Sequence, residues 1–430
     1  MASPCETHLL IEGLFRREAG RLVAGLVRRL GLAQLDLVED AVHDALLDAL
    51  RQWPIRGVPA EPAAWLCAVA QRRARDRLRR ARVRERDRDD AALATAVAPA
   101  DARDDQLMLL FACCDPRLPL GSRVALALKS LCGFSVREIA RAFLASESAI
   151  EQRLVRCKRQ IADDGIELAM VEDSALPARL GAVGDVLYAL FAEGHAASGG
   201  AEPVREELVR EAIRLGELLL EHETLRRPET HALLALFWLH ASRIPARTDE
   251  AGELLALHEQ DRTRWDRAAI ARGFAHLERA AGGAALTRWH LEAGIAACHA
   301  AATDSTTTDW RRIAAYYDRL CAAWPSPIAC LSRVIARAEV HGPESGLLEL
   351  ETLSDADRDA IGHRWWAARA ELLVRTGDEE GARAAFRRAR ALAPLEAEQR
   401  LFARRVRALG VDLDPEPSPE PRPGPPDPRP

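Results

Sequence analysis

Apolar residues recur at steps of three and four along almost the whole chain, and segments that alternate apolar and polar residues are absent. A period of three to four residues is typical of helices that bury one face. The pattern therefore predicts an all-α protein.

The helical pattern is interrupted at places that divide the chain. A charged, alanine-rich stretch without an apolar stripe is typical of a linker. The last residues hold nine of the chain's 24 prolines, which predicts a disordered tail. The predicted organisation is a first helical block at 8–81, a linker at 82–104, a second block at 105–165, a third block at 176–410 and a tail at 411–430.

The third block contains a weak internal repeat. Its clearest copy has the spacing of a tetratricopeptide (TPR) helix pair, and Pro325 lies about two repeat lengths before Pro394. Such helix pairs bury their apolar faces by stacking on neighbours. An irregular α-bundle is the alternative. The residues of the clear copy are Trp366, Gly377, Ala382, Phe386, Ala389 and Pro394.

The second block contains the pattern of a helix-turn-helix. Ser135 and Glu138 have the spacing of a capping box at the start of one short helix, and Ser146 can cap a second helix. A second helix of this kind fits the major groove of DNA, with its polar side chains on base edges. An ordinary amphipathic helix is the alternative. The predicted apolar face is Ile150, Leu154, Cys157 and Ile161, and the polar face is Ser148, Glu151, Gln152, Arg153, Arg156 and Arg159.

The first block ends in a helix that is dense in arginine. Between Val69 and Arg88 there are ten arginines and three acidic residues. Basic side chains at this density bind phosphates by releasing counterions, whatever the sequence. Trp53 and Trp65 flank a turn-rich stretch before this helix, and aromatic rings there suit stacking on unpaired bases. A solvated basic face is the alternative.

Earlier in the first block, Asp40, Asp44 and Asp48 recur every four residues and share one helix face. Like charges at this spacing destabilise a helix by about 0.2–0.5 kcal/mol per pair. We therefore expect a basic partner to face them, with an ordinary exposed helix as the alternative.

Composition separates the chain into parts of opposite charge. The formal net charge is −5, but residues 1–165 carry 27 basic and 23 acidic side chains, and the remainder carries 33 and 42. Only the first part is suited to approach phosphate. Nine cysteines without a C-x-x-C pair predict reduced thiols. Because no signal peptide or long apolar run is present, the chain is predicted to be cytoplasmic and free of membrane contacts.

Catalytic and metal-binding motifs are missing from the sequence. Two His-Glu pairs, at 222–223 and 258–259, begin like H-E-x-x-H, but arginine stands where the second histidine belongs. No P-loop or G-x-G-x-x-G motif occurs. We therefore predict no enzymatic activity, no cofactor and no metal site.

Together these motifs resemble a bacterial RNA polymerase sigma factor of the extracytoplasmic-function (ECF) group. Residues 39–47 are similar to its region 2.2 helix, Trp65 to Arg80 to region 2.4, and Ser146 to Arg156 to the region 4.2 recognition helix. The resemblance implies binding to the β′ clamp helices and the β flap of core RNA polymerase, and to promoter DNA. It assigns Glu39, Asp40, Asp44 and Asp48 to the polymerase, Trp53, Arg56, Trp65, Gln71, Arg72, Arg75, Arg79 and Arg80 to the −10 element, and Ser148, Glu151, Gln152, Arg153 and Arg156 to the −35 element.

The third block resembles the helical, TPR-like extension of one ECF subgroup. From its acidic charge we infer that this part modulates activity by tuning the access of the basic surfaces to DNA, or that it recruits an unidentified regulatory protein, with an ordinary solvated surface as the alternative. Because this part is acidic, we expect it to pack on or near the basic surfaces of the first part. Glu259, Arg262 and Asp266 are expected to share one helix face. The candidate interface residues are His195, Arg247, Asp249, Asp261, Arg262 and Trp265.

The expected architecture is thus a sigma region 2 bundle, a linker, a sigma region 4 helix-turn-helix domain and a TPR-like repeat domain. The expected function is promoter recognition, DNA melting and transcription initiation with core RNA polymerase. The alternative is a helix-turn-helix regulator with a TPR sensor domain that does not replace sigma. The acidic helix and the Trp/Arg block before the linker favour the sigma factor.

Overall fold

The computed structural model describes residues 18–84, 102–143, 145–166, 176–197, 203–283 and 286–410. Most of them are helical, and one isolated antiparallel bridge joins Thr248 to Leu254. The all-α prediction is confirmed for this part of the chain. No helix within it is long and apolar enough to cross a bilayer, and no three metal-ligating side chains cluster there.

The chain forms two compact units, and the first contains residues up to 245 together with 261–303. Its core is built by helices that bury an apolar face and by one helix, Pro228–Ala241, that is buried almost all round. Among the described residues these helices are α1 (18–30), α2 (Leu35–Arg56), α3 (Pro62–Arg84), α4 (Ala102–Cys113), α5 (Leu120–Ser130), α6 (Val136–Ala142), α7 (Glu147–Asp163), α8 (Leu176–His195), α9 (Glu206–Glu221), α10 (Pro228–Ala241), α11 (Arg267–Ala280) and α12 (Arg288–Ala301).

The second unit contains the short segment 246–260 and the residues from 304 onward. The segment is tied to the last helix of this unit, because Arg400 Nε donates to Glu253 Oε1 at 2.8 Å and Arg404 Nη2 donates to Glu259 Oε2 at 3.1 Å. The helices are α13 (Trp310–Ala323), α14 (Pro327–His341), α15 (Pro343–Glu351), α16 (Asp355–Ile361), α17 (His363–Thr376), α18 (Glu379–Leu392) and α19 (Glu396–Ala408).

The turn predicted to start at Trp53 starts later. Helix α2 continues through Pro54 to Arg56, and Gly57 follows with φ of 86°, a left-handed conformation that favours glycine. Pro54 removes one helical hydrogen bond, and only two further residues continue the helix after it. Trp53 is therefore a helical residue, and the turn is confined to residues 57–61.

The predicted linker is shorter at both ends in the structure. Residues 82–84 continue α3, and residues 102–104 belong to α4. Arginine and alanine are good helix formers, so a charged stretch without an apolar stripe can still extend a helix. Residues 85–101 lie outside the described residues, as do residues 8–17 of the predicted first block and the tail at 411–430.

The boundary predicted near residues 165–176 does not separate compact units. Helix α8 packs on α4 and α5, and α9 packs on α4. Buried Asp115 accepts hydrogen bonds from Arg117 at 2.9 and 3.0 Å and lies 3.5 Å from Arg179 Nη1 of α8. Arg214 of α9 donates to Gln106 Oε1 of α4 at 3.3 Å. The third block therefore contributes α8–α12 to the same unit as the first two blocks.

This contact is opposite in sign to the attraction that we expected between the third block and the first part. We expected the acidic third block to meet basic surfaces of the first part. Instead, Arg179 of the third block meets Asp115 of the second block. The net charge of a long segment does not determine the charge of the few side chains that its packing faces bring to an interface.

The repeat predicted in the third block coincides with helix boundaries of the second unit. Gly377 ends α17 in the left-handed conformation, with φ of 83°, and α18 begins two residues later. Ala382, Phe386 and Ala389 of α18 are buried in one core cluster with Phe402 of α19. The helices and the buried positions fit a stacked hairpin, and the TPR designation itself stays a prediction.

We predict that Asp115→Asn lowers the free energy of unfolding by about 2 kcal/mol at pH 7, because a charged acceptor of several hydrogen bonds is lost. Burial raises the pKa of Asp115, but the hydrogen bonds and charge of Arg117, with the charge of Arg179, outweigh burial and hold the pKa below its ordinary value. The contribution of Asp115 is therefore present above the unfolded-state pKa of about 3.9 and is lost as the pH falls through the lower folded-state pKa.

Urea unfolding of both proteins at several pH values measures this effect. The difference between wild type and Asp115→Asn should shrink as the pH falls below about 4. Asp163→Asn removes an exposed carboxylate and should change the stability by less than about 0.5 kcal/mol. A cost of Asp115→Asn that is independent of pH contradicts the assigned role of the carboxylate.

Candidate nucleic-acid interface

Helices α6 and α7 are started by the two predicted caps. The N–H of Glu138 donates to Ser135 Oγ at 3.2 Å, and the N–H of Ser135 donates to Glu138 Oε2 at 2.8 Å, which completes the capping box. Ser146 Oγ accepts a hydrogen bond from the N–H of Ala149 at 3.2 Å. These caps define where each helix of the predicted helix-turn-helix begins.

Helix α7 separates an apolar face from a polar face. Its buried residues are the predicted Ile150, Leu154, Cys157 and Ile161. Ser148, Glu151, Gln152 and Arg156 are exposed on the outer face. Val155 lies among them with 63% of its surface exposed, an apolar group that the sequence analysis did not single out.

Arg153 lies differently from the other predicted residues of α7. It is half-buried, and a Cβ atom placed on Gly121 at the start of α5 would lie 3.2 Å from Arg153 Nη1. Arg153 therefore packs over α5 of its own domain. The lack of a side chain at Gly121 leaves room for the guanidinium there.

The acidic row of α2 faces arginines of α3. Arg73 Nη2 and Nε donate to Asp48 Oδ2 at 2.6 and 3.1 Å. Arg77 donates to Asp44 Oδ2 through Nη2 at 2.8 Å and to Asp40 Oδ2 through Nη1 at 2.8 Å. The basic partner that the acidic spacing predicts is thus present within the same domain. We call these five residues the acid–arginine row.

Burial divides the acidic residues of this row. The side chain of Asp48 is 8% exposed, and its hydrogen bonds and charge raise the pKa of Arg73. Asp48 is therefore a structural residue in this fold and not an exposed polymerase contact. The Asp40 side chain is 63% exposed and Asp44 is half-buried, so both remain accessible beside Arg77.

The arginines of α3 divide between two faces. Arg73 and Arg77 lie one turn apart and point to α2. The other predicted arginines are exposed, and the first three recur at steps of three and four residues on one face. Gln71 is half-buried, and its amide donates to Cys67 Sγ at 3.3 Å. The exposed arginines are Arg72, Arg75, Arg79 and Arg80.

The two tryptophans of the first block do not both face solvent. Trp53 is 2% exposed and packs edge-on against Trp65, with ring centroids 5.4 Å apart. Trp53 is therefore a core residue, and the prediction that it stacks on DNA bases is corrected. Trp65 is half-buried and keeps part of its surface accessible.

The end of α2 presents apolar side chains to solvent. Ile55 is 82% exposed, Val58 is 39% exposed, and the predicted Arg56 between them is also exposed. The turn-rich composition indicated a loop here, but it gave no sign that the loop would expose apolar groups beside the arginine helix.

Glu39 contacts the second block. Its carboxylate accepts hydrogen bonds from Ser130 Oγ of α5 at 2.5 Å and from Lys158 Nζ of α7 at 2.7 Å. Lys158 also pairs with Asp36, one turn before Glu39. These contacts join residues 91 and 119 positions apart along the chain. Separation of this size explains why no local pattern revealed them.

The six candidate interface residues of the third block divide between the two compact units. Arg262 and Trp265 are buried, with Arg262 Nη1 donating to the carbonyl oxygens of His299 and Ala302 at 2.8 and 3.1 Å. Asp261 is exposed and caps the short helix Arg262–Arg264. His195 is half-buried against His240, at 5.0 Å between ring centroids. These four residues belong to the first unit.

The remaining two candidates, Arg247 and Asp249, belong to the second unit. Burial lowers the pKa of Arg247 to about 10, against the opposing charge of Glu398. Asp249 Oδ1 accepts hydrogen bonds from the N–H groups of Ala251 and Glu253 at 2.9 and 2.8 Å. Both residues organise the segment 246–260.

The helix face predicted from Glu259, Arg262 and Asp266 is also corrected. Glu259 and Arg262 lie in two separate short helices, and Asp266 caps α11. Because three different elements carry these residues, their spacing along the chain does not place them on one helix face.

Comparison with known families places the two DNA-binding candidates in familiar domains. Residues 15–84 match the family model described as Sigma-70 region 2, and residues 110–161 match the model described as Sigma-70, region 4. Residues 179–281 match a family of unknown function, DUF6596.

An uncharacterized protein of Rhizobium meliloti (strain 1021) is 38% identical over 370 residues, which cover 84% of this chain and 86% of the relative. No solved structure matches the chain. The similarity to this relative extends well beyond the two sigma-type matches, so it includes much of the helical extension.

Removing the side chains of two adjacent arginines of α3 should change the stability of the protein by very different amounts. Arg73→Ala leaves the buried carboxylate of Asp48 without its donor, so we expect it to lower the free energy of unfolding by about 2 kcal/mol. Arg72→Ala removes an exposed side chain and should change stability by less than about 0.5 kcal/mol. Thermal and urea unfolding of both variants measure the difference. Equal effects would show that the acid–arginine row does not stabilise the fold.

Proposed function

The chain belongs to the bacterial RNA polymerase sigma factors of the extracytoplasmic-function group, with an additional C-terminal domain, and we propose how its surfaces divide the work of promoter recognition. As a sigma factor it binds core RNA polymerase and promoter DNA, and it is a transcription initiation factor and not an enzyme. The proposal rests on one observation: α3 and α7 each direct one set of side chains toward neighbouring helices and another set toward solvent.

The −35 element is read by the outer face of α7. A recognition helix enters the major groove, where side-chain amides, carboxylates and guanidinium groups form hydrogen bonds with base edges. Ser148, Glu151, Gln152 and Arg156 are exposed and available for this role. Arg153 packs over Gly121, so we assign it to positioning α7 and contacting the backbone at the rim of the groove.

The −10 element is bound by the exposed face of α3 and by the turn before it. Arg72, Arg75, Arg79 and Arg80 are spaced to follow a phosphate backbone and supply most of the affinity. Melting requires a base to leave its stack, which costs a few kcal/mol, so an apolar surface must receive that base. We assign this role to exposed Ile55 and Val58 with the accessible part of Trp65.

Core polymerase is bound by the acidic face of α2. Asp40 and Asp44 are accessible, whereas the carboxylate of Glu39 is held by Ser130 and Lys158. The β′ clamp helices as the partner of this face, and the β flap as the partner of region 4, follow from the family resemblance. Asp48 acts indirectly, because it holds Arg73 and so the register of α2 against α3.

The C-terminal extension is proposed to modulate this activity. Helices α8 and α9 pack directly on region 4, so a change in the extension alters the support of the −35 domain. The second unit is the proposed docking site of an unidentified regulatory protein. A factor that works with RNA polymerase works where the polymerase is, so we retain the cytoplasm as the proposed location.

The alternative of a helix-turn-helix regulator that does not replace sigma is not favoured. Such a regulator has no need of a region 2 domain, and residues 15–84 match one. The acid–arginine row and the exposed arginine face belong to this domain.

Transcription with purified sigma-free core polymerase tests the proposed function. The full chain should direct run-off transcripts from a subset of genomic promoters, and the Arg72→Ala/Arg79→Ala double variant should fail to do so while remaining folded. Each lost phosphate contact should reduce the slope of log affinity against log salt by about 0.9. Transcripts that also form without the chain, or unchanged slopes in the variant, contradict the proposal.

Val155 is expected to contribute to −35 specificity through a thymine methyl group. Apolar side chains in the major groove contact the C5-methyl of thymine. Replacing the contacted thymine by deoxyuridine should weaken wild-type binding about fourfold, the effect of burying one methyl group, or about 0.8 kcal/mol. Val155→Ala should bind thymine and deoxyuridine duplexes equally.

Deoxyuridine scanning of the −35 duplex by fluorescence anisotropy measures this discrimination. Leu348→Ala, which removes an exposed aliphatic group in the second unit, is the matched control and should discriminate like wild type. Discrimination that persists in Val155→Ala at every thymine would refute the contact.

A further inference from the structure

The first helical hairpin of the second unit, α13 and α14, holds two cysteines that face each other. Cys321 lies two residues before the end of α13, and Cys330 is the fourth residue of α14. The two helices pack on each other, and both cysteines are free thiols. Because a short turn makes two joined helices antiparallel, residues at similar distances from the turn lie at the same level.

Hydrogen bonds fix the ends of both helices at this turn. The N–H of Trp324 donates to the carbonyl oxygen of Leu320 at 2.7 Å and closes the last turn of α13. Ser326 Oγ accepts a hydrogen bond from the N–H of Ala329 at 3.1 Å and caps the start of α14. Only residues 324–326 join the two helices. The backbone of the hairpin therefore sets how the two cysteines face each other.

The two thiols are in contact, but their surroundings differ. A side-chain hydrogen bond links Cys321 and Cys330. Cys321 is buried, whereas Cys330 is half-buried and keeps part of its surface accessible. Burial and the neighbouring thiol raise the pKa of Cys321 to about 11, against the positive charge of Arg333. Cys321 is therefore protonated at neutral pH, and Cys330 is the thiol that a solute can reach.

The cysteines of region 4 are in a different situation. All four are buried, and burial raises the pKa of each thiol. A buried thiol with a raised pKa is unreactive, because the thiolate is the nucleophile. These residues are Cys113, Cys114, Cys132 and Cys157.

We propose that Cys321 and Cys330 form a reversible dithiol–disulfide pair that hydroperoxides oxidise. The thiolate of Cys330 attacks one oxygen of the peroxide, so that an S–O bond forms, the O–O bond breaks and hydroxide leaves. Cys321 then attacks the sulfur of the resulting sulfenic acid, so that an S–S bond forms and the S–O bond breaks. The proton of Cys321 leaves with this hydroxide as water. In total the two thiols lose two hydrogen atoms, and one molecule of hydrogen peroxide becomes two of water.

Contact between the thiols favours the disulfide over further oxidation. A neighbouring thiol held in place acts at a high effective concentration, so it captures the sulfenic acid before a second peroxide arrives. The bond ties α13 to α14, and a dithiol reductant can reverse it by thiol–disulfide exchange. This inference goes beyond the proposed function and does not depend on binding to promoter or polymerase.

Differential alkylation of the full chain tests the proposal. Trypsin cuts after Arg319 and Arg333, so one peptide contains both cysteines. The native protein is treated with hydrogen peroxide, then denatured, alkylated with iodoacetamide and digested. By mass spectrometry, the wild-type peptide should lack two hydrogen atoms and both alkylation sites. Reduction with dithiothreitol before alkylation should restore both sites.

Cys330→Ser/Ser332→Cys is the matched variant, because it keeps two cysteines in the same peptide. Two residues turn a helix by about 200°, so the moved thiol leaves the face of α14 that meets Cys321. Its peptide should keep both alkylation sites or gain oxygen, without an internal link. Cys321→Ser removes the second thiol, so Cys330 should gain oxygen in that variant. Circular dichroism checks that both variants are folded.

Two results would overturn the proposal. The first is a wild-type peptide that keeps both alkylation sites, or that gains oxygen in place of the internal link. The second is an internal link that forms to the same extent in wild type and in folded Cys330→Ser/Ser332→Cys, because the contact in the native hairpin would then not direct the reaction. The wild-type measurement decides the first point whether or not a variant folds.

Discussion

The pairing of acidic side chains on α2 with arginines on α3 is the interaction on which the promoter-binding part depends. The carboxylates recur every four residues, and Arg73 and Arg77 repeat with the same spacing on the facing helix. Two helices that carry matched rows can align in only one register. Because Asp48 is buried, a shift by one turn would leave a charge without a partner in the interior, which is strongly destabilising. The row therefore fixes the register of α2 against α3.

The acid–arginine row also determines which arginines of α3 remain available to bind DNA. A helix with this many guanidinium groups cannot turn all of them toward one partner, since side chains leave the helix in every direction. Those facing α2 are neutralised within the domain, and those on the other face stay exposed. The formal charge of the segment thus overstates what a phosphate backbone meets. On α7 the apolar residues have the corresponding role, because their burial turns the polar residues outward.

Sequence patterns correctly predicted the features that depend on interactions between residues close together in the chain. The caps at Ser135 and Ser146 and the buried face of α7 follow from side chains within a few residues of one another, so period and capping rules suffice. Trp53 and Asp48 were assigned to solvent because their own neighbourhood resembles a surface, but contacts 12 and 25 residues away bury them. Arg73 and Arg77 have the same four-residue spacing as Asp44 and Asp48, and this match could have predicted that the two helices pair.

Long-range packing was beyond such patterns for a different reason. The contacts of Glu39 with Ser130 and Lys158 join two domains, and nothing near Glu39 distinguishes a polymerase-binding carboxylate from one that binds its own chain. The division of the extension is similar. Helices α8 and α9 pack on α4 and α5, α10 packs on α8 and α9, and α11 and α12 pack on α10, so these long-range contacts assign all five helices to the first unit.

Region 4 therefore packs on two neighbours, the C-terminal extension and region 2. Its α4 and α5 support α8 and α9, while the ends of α5 and α7 contact α1 and α2. A four-helix domain with a dense apolar core moves as one body, because close-packed interiors do not deform continuously. A shift of α8 or α9 would therefore be transmitted through α4 and α5 to the whole of region 4, including the recognition helix α7.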